Sequence, residues 1–451
     1  MAASAVLGLL GPAHLWPSCV LVLVLTIVFL ALSRTFSRPA WPSNAPRYLR
    51  GLPLLGSLDF FRCRLDFQQK VSATTETGNF SFFYGSHPIV SLSGTDARKT
   101  FFTARGLDLT EGFNTLFAAL PSIDHLYKGE ETISVHFLAL FKRFTHKERL
   151  RANLLDMVQD TRTSFQELNE DAPFDPFDVL YKLVYQLTHR TLGSNDVAND
   201  PKLLRDTLNI YTGMDSSHAL QVMFPSLPFP SKLSKTWAGI KLYWTFKKIM
   251  DERRRTGRSE SDAMQYMMDS GDDDIIISSH LYGGKFIIGA LFAGLINTGV
   301  NAAWILCFLG QDEYWQGKVR QEINTALAEH RLSEHELAFD TLSRFTIEDW
   351  EKSFPTVDLC LRESIRLTMP GSMIRKNIGG KNIDILGCKE IIPKDTFAVY
   401  PSADVHLNPN IYTDPYTFDP ARYLPERGED KKQEHAYLGW GSGLHPCVRQ
   451  A

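Results

Sequence analysis

The chain lacks several features by which common enzyme and binding classes are recognised. Its six cysteines, Cys19, Cys63, Cys307, Cys360, Cys388 and Cys447, are too few and too scattered for a disulfide framework in 451 residues. No C-x-x-C pair occurs, so a structural zinc site has no ligand set, and His445 with Cys447 makes only half of one. No G-x-S-x-G elbow occurs, since Ser442 has Trp440 two positions before it, and that excludes a serine-hydrolase nucleophile there. A net charge of −3 gives no long-range pull toward nucleic acid, and the basic cluster Arg253-Arg254-Arg255 reads as the solvated end of a helix. Internal repeats and low-complexity tracts are absent too. What remains, 44% hydrophobic and 22% charged residues, is the composition of a globular enzyme with a large core.

Basic residues are also missing ahead of Arg34. Residues 19–32, CVLVLVLTIVFLAL, are apolar apart from one Thr, and the run extends back toward Ala5, enough for one spanning helix of about 20 residues. Without a basic n-region or a small-residue cleavage site it reads as an uncleaved anchor rather than a signal peptide. Arg34, Arg38, Arg47 and Arg50 follow it, which by the positive-inside rule leaves the body cytosolic and silences the sequon Asn79-Phe80-Ser81.

Four prolines between residues 39 and 53 make a stiff linker. Phe80 to Tyr84 and Ile89 to Leu92 flank the turn-rich GSHP and predict a hairpin. Residues 135–350 are mainly helical in pattern. Within them, MFPSLPFPSKL carries Phe224, Leu227 and Phe229 among three prolines, an apolar loop that either dips into a bilayer or forms a buried connection. SESDAMQYMMDSGDDD reads as a solvated loop, and a long helix follows from Ser278-Ser279 to about Leu309. Its glycines, Gly289, Gly294 and Gly299, point either to close approach by something flat with local opening of the helix, or to tight helix packing. After residue 380 the texture changes to short strands and turns.

Pro355 opens and Pro370 closes a helix whose Val357, Leu361 and Ile365 define a buried stripe. Glu363 and Arg366, three apart, share a face and can pair; alone, E-x-x-R is also what a surface ion pair looks like. Near the C-terminus, WGSGLHPC presents one thiol on a Gly-loosened loop. A nucleophilic cysteine beside a histidine is one reading. A thiolate fifth ligand to haem iron is the other, and it suits backbone that must pass close under a flat macrocycle.

These segments resemble the cytochrome P450 family. Trp440, Gly443, His445 and Cys447 fall on the signature F-x-x-G-x-[R/H]-x-C-x-G, with Trp440 at the Phe position. Glu363 and Arg366 match E-x-x-R, and Pro415, Phe418, Pro420, Arg422 and Tyr423 match P-x-x-F-x-P-x-R-[F/Y]. The resemblance implies a mainly α fold with small β-sheets, preceded by one N-terminal transmembrane helix. It divides the chain into an anchor (1–33), a proline-rich hinge (34–56) and a haem-thiolate catalytic domain (57–451). It implies haem, with Cys447 as the iron ligand; His445, Arg375, Trp440, Gly443, Ala293 and Gly294 as cofactor-binding residues; and Glu363, Arg366 and Arg422 as a buried structural network. It further implies an endoplasmic reticulum membrane protein that takes electrons from an NADPH-dependent flavoprotein reductase and oxidises a hydrophobic small molecule. The texture is most similar to fungal members acting on secondary metabolites such as terpenoids or alkaloids. No role for nucleic acid is implied.

Two departures qualify that reading. The family's [A/G]-G-x-[D/E]-T has Ile296 where the acid belongs, then Asn297 at the usual Thr, followed by Thr298. Asn297 and Thr298 are therefore the candidate catalytic pair, and because Asn is no acid, a peroxide isomerase or dehydratase is the alternative reaction. Second, Arg449 stands at the signature's final Gly and the sequence stops two residues later, from which a C-terminally truncated and catalytically impaired remnant is a further expectation.

Overall fold

The computed structural model describes residues 19–23, 25–26, 33, 37–116, 139–169, 171–215, 218–224, 227, 229–271, 286–369 and 371–447, without the side chains of 215 and 296. The chain divides into two compact units: residues 1–121, 218–227 and 374–399, and residues 122–217, 228–373 and 400–451.

The first unit is built on a five-stranded sheet. Its strands are β1 (Phe80–Tyr84), β2 (His87–Ser91), β3 (Leu107–Asp108), β4 (Ser372–Asn377) and, after a small pair β5 (Ile383–Asp384) and β6 (Ile391–Ile392), β7 (Phe397–Pro401). Their order is β1-β2-β7-β4-β3. The expected hairpin is there, β1 pairing antiparallel with β2 from Phe80↔Ser91 to Tyr84↔His87. Phe80, Phe82, Ile89 and Val90 are buried with Phe60 and Phe67, a knot of aromatic contacts that closes this core. Helices α1 (Thr95–Thr103) and α2 (Leu109–Leu116) belong to the same unit. Asn79 is only 2% exposed; its side chain donates to Glu390 and accepts from the Ser93 amide, so the sequon is inside the fold whatever its topology. The described part of the proline-rich stretch lies along β1, with the Leu49 amide bonded to Ser81 O (2.7 Å) and Trp41 against Phe83.

The second unit is helical: α3 (Lys147–Gln166), α4 (Pro176–Leu192), α5 (Pro201–Asp215), α6 (Pro230–Thr256), α7 (Phe286–Gln311), α8 (Glu313–His330) and α9 (Pro355–Thr368), with smaller turns between. Its core gathers Tyr185, Leu242, Phe246, Met250, Ile287 and Leu291. The described part of the long helix, α7, runs without a break and packs along α4. A Cβ on Gly294 would lie 3.3 Å from Thr188, and one on Gly299 would lie 3.5 Å from Tyr181, so these two glycines serve helix packing. The expected start at Ser278-Ser279 lies outside the described residues.

Two expectations from composition fail here. Residues read as a solvated loop contain a helix, Ala263–Asp269, because Ala263, Met264 and Met267 have a core to enter; Asp262 caps it, accepting from the Gln265 amide at 2.8 Å. Arg253 is not a solvated helix end. It is 1% exposed and ion-paired to Asp196 and Asp262, leaving only Arg254 and Arg255 outside.

Among the described residues, α7 is the one helix long and apolar enough to cross a membrane, and here it is a core helix. The expected anchor lies mostly outside the described residues; 19–23 and 25–26 are helical, with Leu21, Val22, Leu23 and Leu25 all exposed.

A buried charge network organises the C-terminal part of this unit. On α9 the stripe expected at Val357, Leu361 and Ile365 is buried only at Ile365; the covered face carries Cys360, Glu363, Ser364 and Arg366. Glu363 accepts from Arg366 through both oxygens (2.7 and 2.9 Å) and from Arg422 Nε (2.9 Å), and all three side chains are fully buried. The Tyr423 hydroxyl and the Asp419 amide complete its shell. Arg366 then donates to the carbonyls of His406 and Pro415 (both 2.6 Å), while Arg422 donates to Glu429 (2.8 Å). Each charge is paired and each donor directed, the condition under which burial of ions is tolerated.

Replacing Glu363 with Ala strands two guanidiniums in the interior, and urea unfolding is expected to register a loss of about 3–5 kcal/mol. Glu429 adds a pH dependence. Burial raises its pKa, but the bonds from Arg427 and Arg422 outweigh this and hold it at about 2. Its contribution is therefore complete above the unfolded carboxylate's pKa and is lost as pH falls toward about 2. The stability gap between wild type and Glu429→Gln, large at neutral pH, should close across that acid range.

Candidate functional site

The signature segment folds as a two-stranded hairpin, β8 (Gly441–Ser442) against β9 (His445–Pro446), joined by Gly443 and Leu444. Gly441 has φ near +70°, and a Cβ there would lie 2.5 Å from the His445 carbonyl, so this turn admits no side chain. The Cys447 amide donates to Trp440 O at 2.6 Å, closing the loop behind the hairpin. Ser442 Oγ lies 2.6 Å from His435 Nδ1. Trp440, Gly443, His445 and Cys447 thus sit on one tight element, with the thiol half-buried at its end. Val448, Arg449, Gln450 and Ala451 lie outside the described residues.

Two contacts carry the order of the charge network into this hairpin. His406, whose carbonyl accepts from Arg366, receives the Leu438 amide on Nε2 at 2.9 Å, two residues before Trp440. Burial, reinforced by the Arg366 charge, pushes the His406 pKa down to about 3, so the ring stays neutral with its proton on Nδ1. Gly439 is the second contact: a Cβ there would fall 2.6 Å from Ile365 of α9, so the chain approaches that helix as closely as backbone can. Neither residue was found by sequence reading, because a lone His and a Gly outside the motif carry no spacing of their own.

On α7, Ala293, Asn297 and Thr298 are exposed, while Gly294 is turned toward Thr188. Asn297 Nδ2 donates to Ala293 O (3.2 Å), which leaves Oδ1 as the free-facing end of the amide. One turn on, Asn301 repeats the pattern, Nδ2 reaching Asn297 O at 2.6 Å and approaching Met369 Sδ at 3.6 Å. Met369 is in turn held by Ser402 Oγ, 2.8 Å from its carbonyl. Asn301, Met369 and Ser402 were likewise missed by sequence reading; only an i, i+4 pair of asparagines hinted at them. The side chain of Ile296 lies outside the description.

Arg375 belongs to the first unit, on β4. It is 3% exposed, lies over the rings of Phe101 and Phe102, and donates to the Phe101 carbonyl. Among the described residues it forms no ion pair, and burial pushes its pKa down to about 10 despite Asp108. A buried cation in that condition favours a carboxylate ligand. Glu363, Arg366 and Arg422 are joined as described above.

No three His, Cys, Asp or Glu side chains gather as a metal set among the described residues. The donor available is one thiol on a glycine-turned hairpin. A single thiolate, small exposed groups on a long helix and a buried arginine lacking a carboxylate are a donor set that fits haem, with its one protein-supplied sulfur and its two propionates.

Comparison with known proteins agrees with this donor set. The Cytochrome P450 family profile matches residues 46–449. The cytochrome P450 monooxygenase AacuE of Aspergillus aculeatus is 32% identical over 435 residues, 94% of this chain and 84% of that protein. The monooxygenase nsrP of Aspergillus novofumigatus is 31% identical over 94% of this chain and 83% of its own. The retinoic acid-bound cyanobacterial CYP120A1 shares the fold, with a TM-score of 0.69 at 22% identity, covering 91% of this chain and 89% of that one. The mainly helical fold with small sheets is that of the family, whose members bind haem through a cysteine thiolate, and the chain belongs to the cytochrome P450 monooxygenases.

Proposed function

We propose that this chain is a membrane-anchored haem-thiolate monooxygenase that oxidises a hydrophobic small molecule of fungal secondary metabolism, using O2 and electrons from an NADPH-dependent flavoprotein reductase. The fungal monooxygenases among its relatives support the substrate class. The apolar run before Arg34 and the outward-facing residues Leu21 to Leu25 support the anchor, and through it an endoplasmic reticulum location with the body cytosolic.

The observation that carries the reading is the Cys447 hairpin, stiffened by Gly441 and tied through Leu438 and His406 to the Glu363 network. Haem, when bound, supplies activation of O2 and insertion of one oxygen atom into the substrate. Cys447 is assigned as its thiolate ligand, with the Cys447 amide held by Trp440 O and Gly443 supplying the turn. His445 and Arg375 are assigned to the two propionates, where charge-assisted bonds suit carboxylates. Ala293 and Gly294 form the small-residue stretch of α7 beside the cofactor. Thr298 offers a hydroxyl, and Asn297 offers its Oδ1 because Nδ2 is committed to Ala293 O. With Ile296 in the acid's place, these two hold the water and the substrate hydrogen bonds that an acid-alcohol pair would otherwise hold.

The reduced full chain is expected to give the red-shifted Soret band of thiolate ligation with carbon monoxide, and Cys447→Ser to lose it. A band of the neutral-thiol type in the wild type would remove Cys447 from the iron. With the reductase added, product formation from candidate aromatic or terpenoid substrates is expected to require NADPH and O2. Turnover of an organic peroxide with neither would favour the isomerase reaction, which the Asn297 position leaves chemically available.

A further inference from the structure

The Pro-locked loop at residues 223–233 is the segment whose sequence suggests contact with a bilayer, yet Phe224 is 4% exposed. Exposed apolar bulk appears instead on the helix that follows. On α6, Leu233, Trp237 and Trp244 are 66%, 60% and 59% exposed. At 3.6 residues per turn these three positions fall within about 40° of one another, and the stripe runs about 16 Å along the helix. The opposite side of α6, through Leu242, Phe246 and Met250, is the side that enters the core.

Charge on this helix is one-sided as well. Residues 230–250 contain five lysines, Lys232, Lys235, Lys241, Lys247 and Lys248, and no Asp or Glu. Lys241 and Lys248 flank the tryptophan stripe, both exposed and neither in an ion pair. Tryptophan sits at the boundary between headgroup and acyl chain, and lysine stems run along apolar surface while their ammonium groups reach anionic headgroups. A second copy of this chain would place lysine against lysine across the stripe, whereas an anionic lipid surface is complementary to it.

We propose that the Leu233–Trp237–Trp244 face of α6 lies in the interface of an anionic bilayer, with Lys241 and Lys248 bound to lipid headgroups. This rests on the membrane reading given above, and it moves the body's contact from the proline loop to the helix. The contact fixes how the body stands on the surface, an orientation that a single terminal anchor leaves free.

The test uses the full chain with haem, reconstituted into phosphatidylcholine–phosphatidylserine vesicles carrying bromine on the acyl chains. Bromine quenches nearby indoles. The variant Trp237→Phe with Trp244→Phe, conservative changes on an exposed face, should lose quenched emission relative to wild type, down to the level left by the other six of the eight tryptophans. Lys241→Glu with Lys248→Glu should lose the same share, and omitting phosphatidylserine or raising salt should weaken it in the wild type. Equal quenching in wild type and the tryptophan variant, with the chain in the vesicle fraction, overturns this inference and leaves the anchor intact. Tryptophan emission that responds to protein density rather than to bromolipid overturns it in favour of a second copy. A chain that stays in the aqueous fraction overturns both this contact and the anchor.

Discussion

A single carboxylate shared between two buried guanidiniums holds the C-terminal half of the second unit together. Glu363 is remote in sequence from Arg422, and the bond between them draws residues 413–429 onto α9. Desolvating three charges is costly, and the arrangement survives because Arg366 and Arg422 also reach the carbonyls of His406, Pro415, Thr413 and Thr417. The energetic yield over an apolar core of equal volume is small. What the network provides is a unique geometry, since moving any of these segments leaves a charge without its partner.

That geometry reaches the thiol by a short path. Arg366 fixes the His406 backbone, the neutral His406 ring takes the Leu438 amide, Gly439 lies on Ile365, and Cys447 closes onto Trp440. The hairpin is too small to be rigid alone, as a pair of two-residue strands has no face to bury. Its order comes from the helix and loops behind it, which is why its scaffold lies some 80 residues earlier in the chain.

The long helix α7 answers to two demands. Gly294 and Gly299 let α4 approach, while Ala293, Asn297 and Thr298 stay clear of that contact. Asn297 and Asn301 each spend their amide donor on the carbonyl four residues back, a local bond that competes with the helix's own pattern and fixes which end of the amide faces outward.

Much of this was legible without coordinates. The E-x-x-R pair, the arginine of the P-x-x-F-x-P-x-R stretch and the cysteine segment could be read because family chemistry demands those residue types at nearly fixed separations. The β1–β2 hairpin could be read because its apolar runs and Gly turn are local. Composition misled where a polar-looking segment had a buried partner: Arg253 between Asp196 and Asp262, the methionines at 264 and 267, and the α9 face that buries Glu363 in place of Val357. Helical spacing states which residues share a face but not which face is covered.

The sequence by itself determined the family chemistry, the single thiol donor and the substitution of Ile296 and Asn297 for the usual acid and alcohol, because these are matters of residue type and spacing. Only tertiary structure decided that Glu363 is buried and shared, that His406 is neutral and braces the thiol loop, that Phe224 is covered while Trp237 and Trp244 are not. Burial, pairing and exposure depend on what distant segments bring to the same place, and no local pattern carries that information.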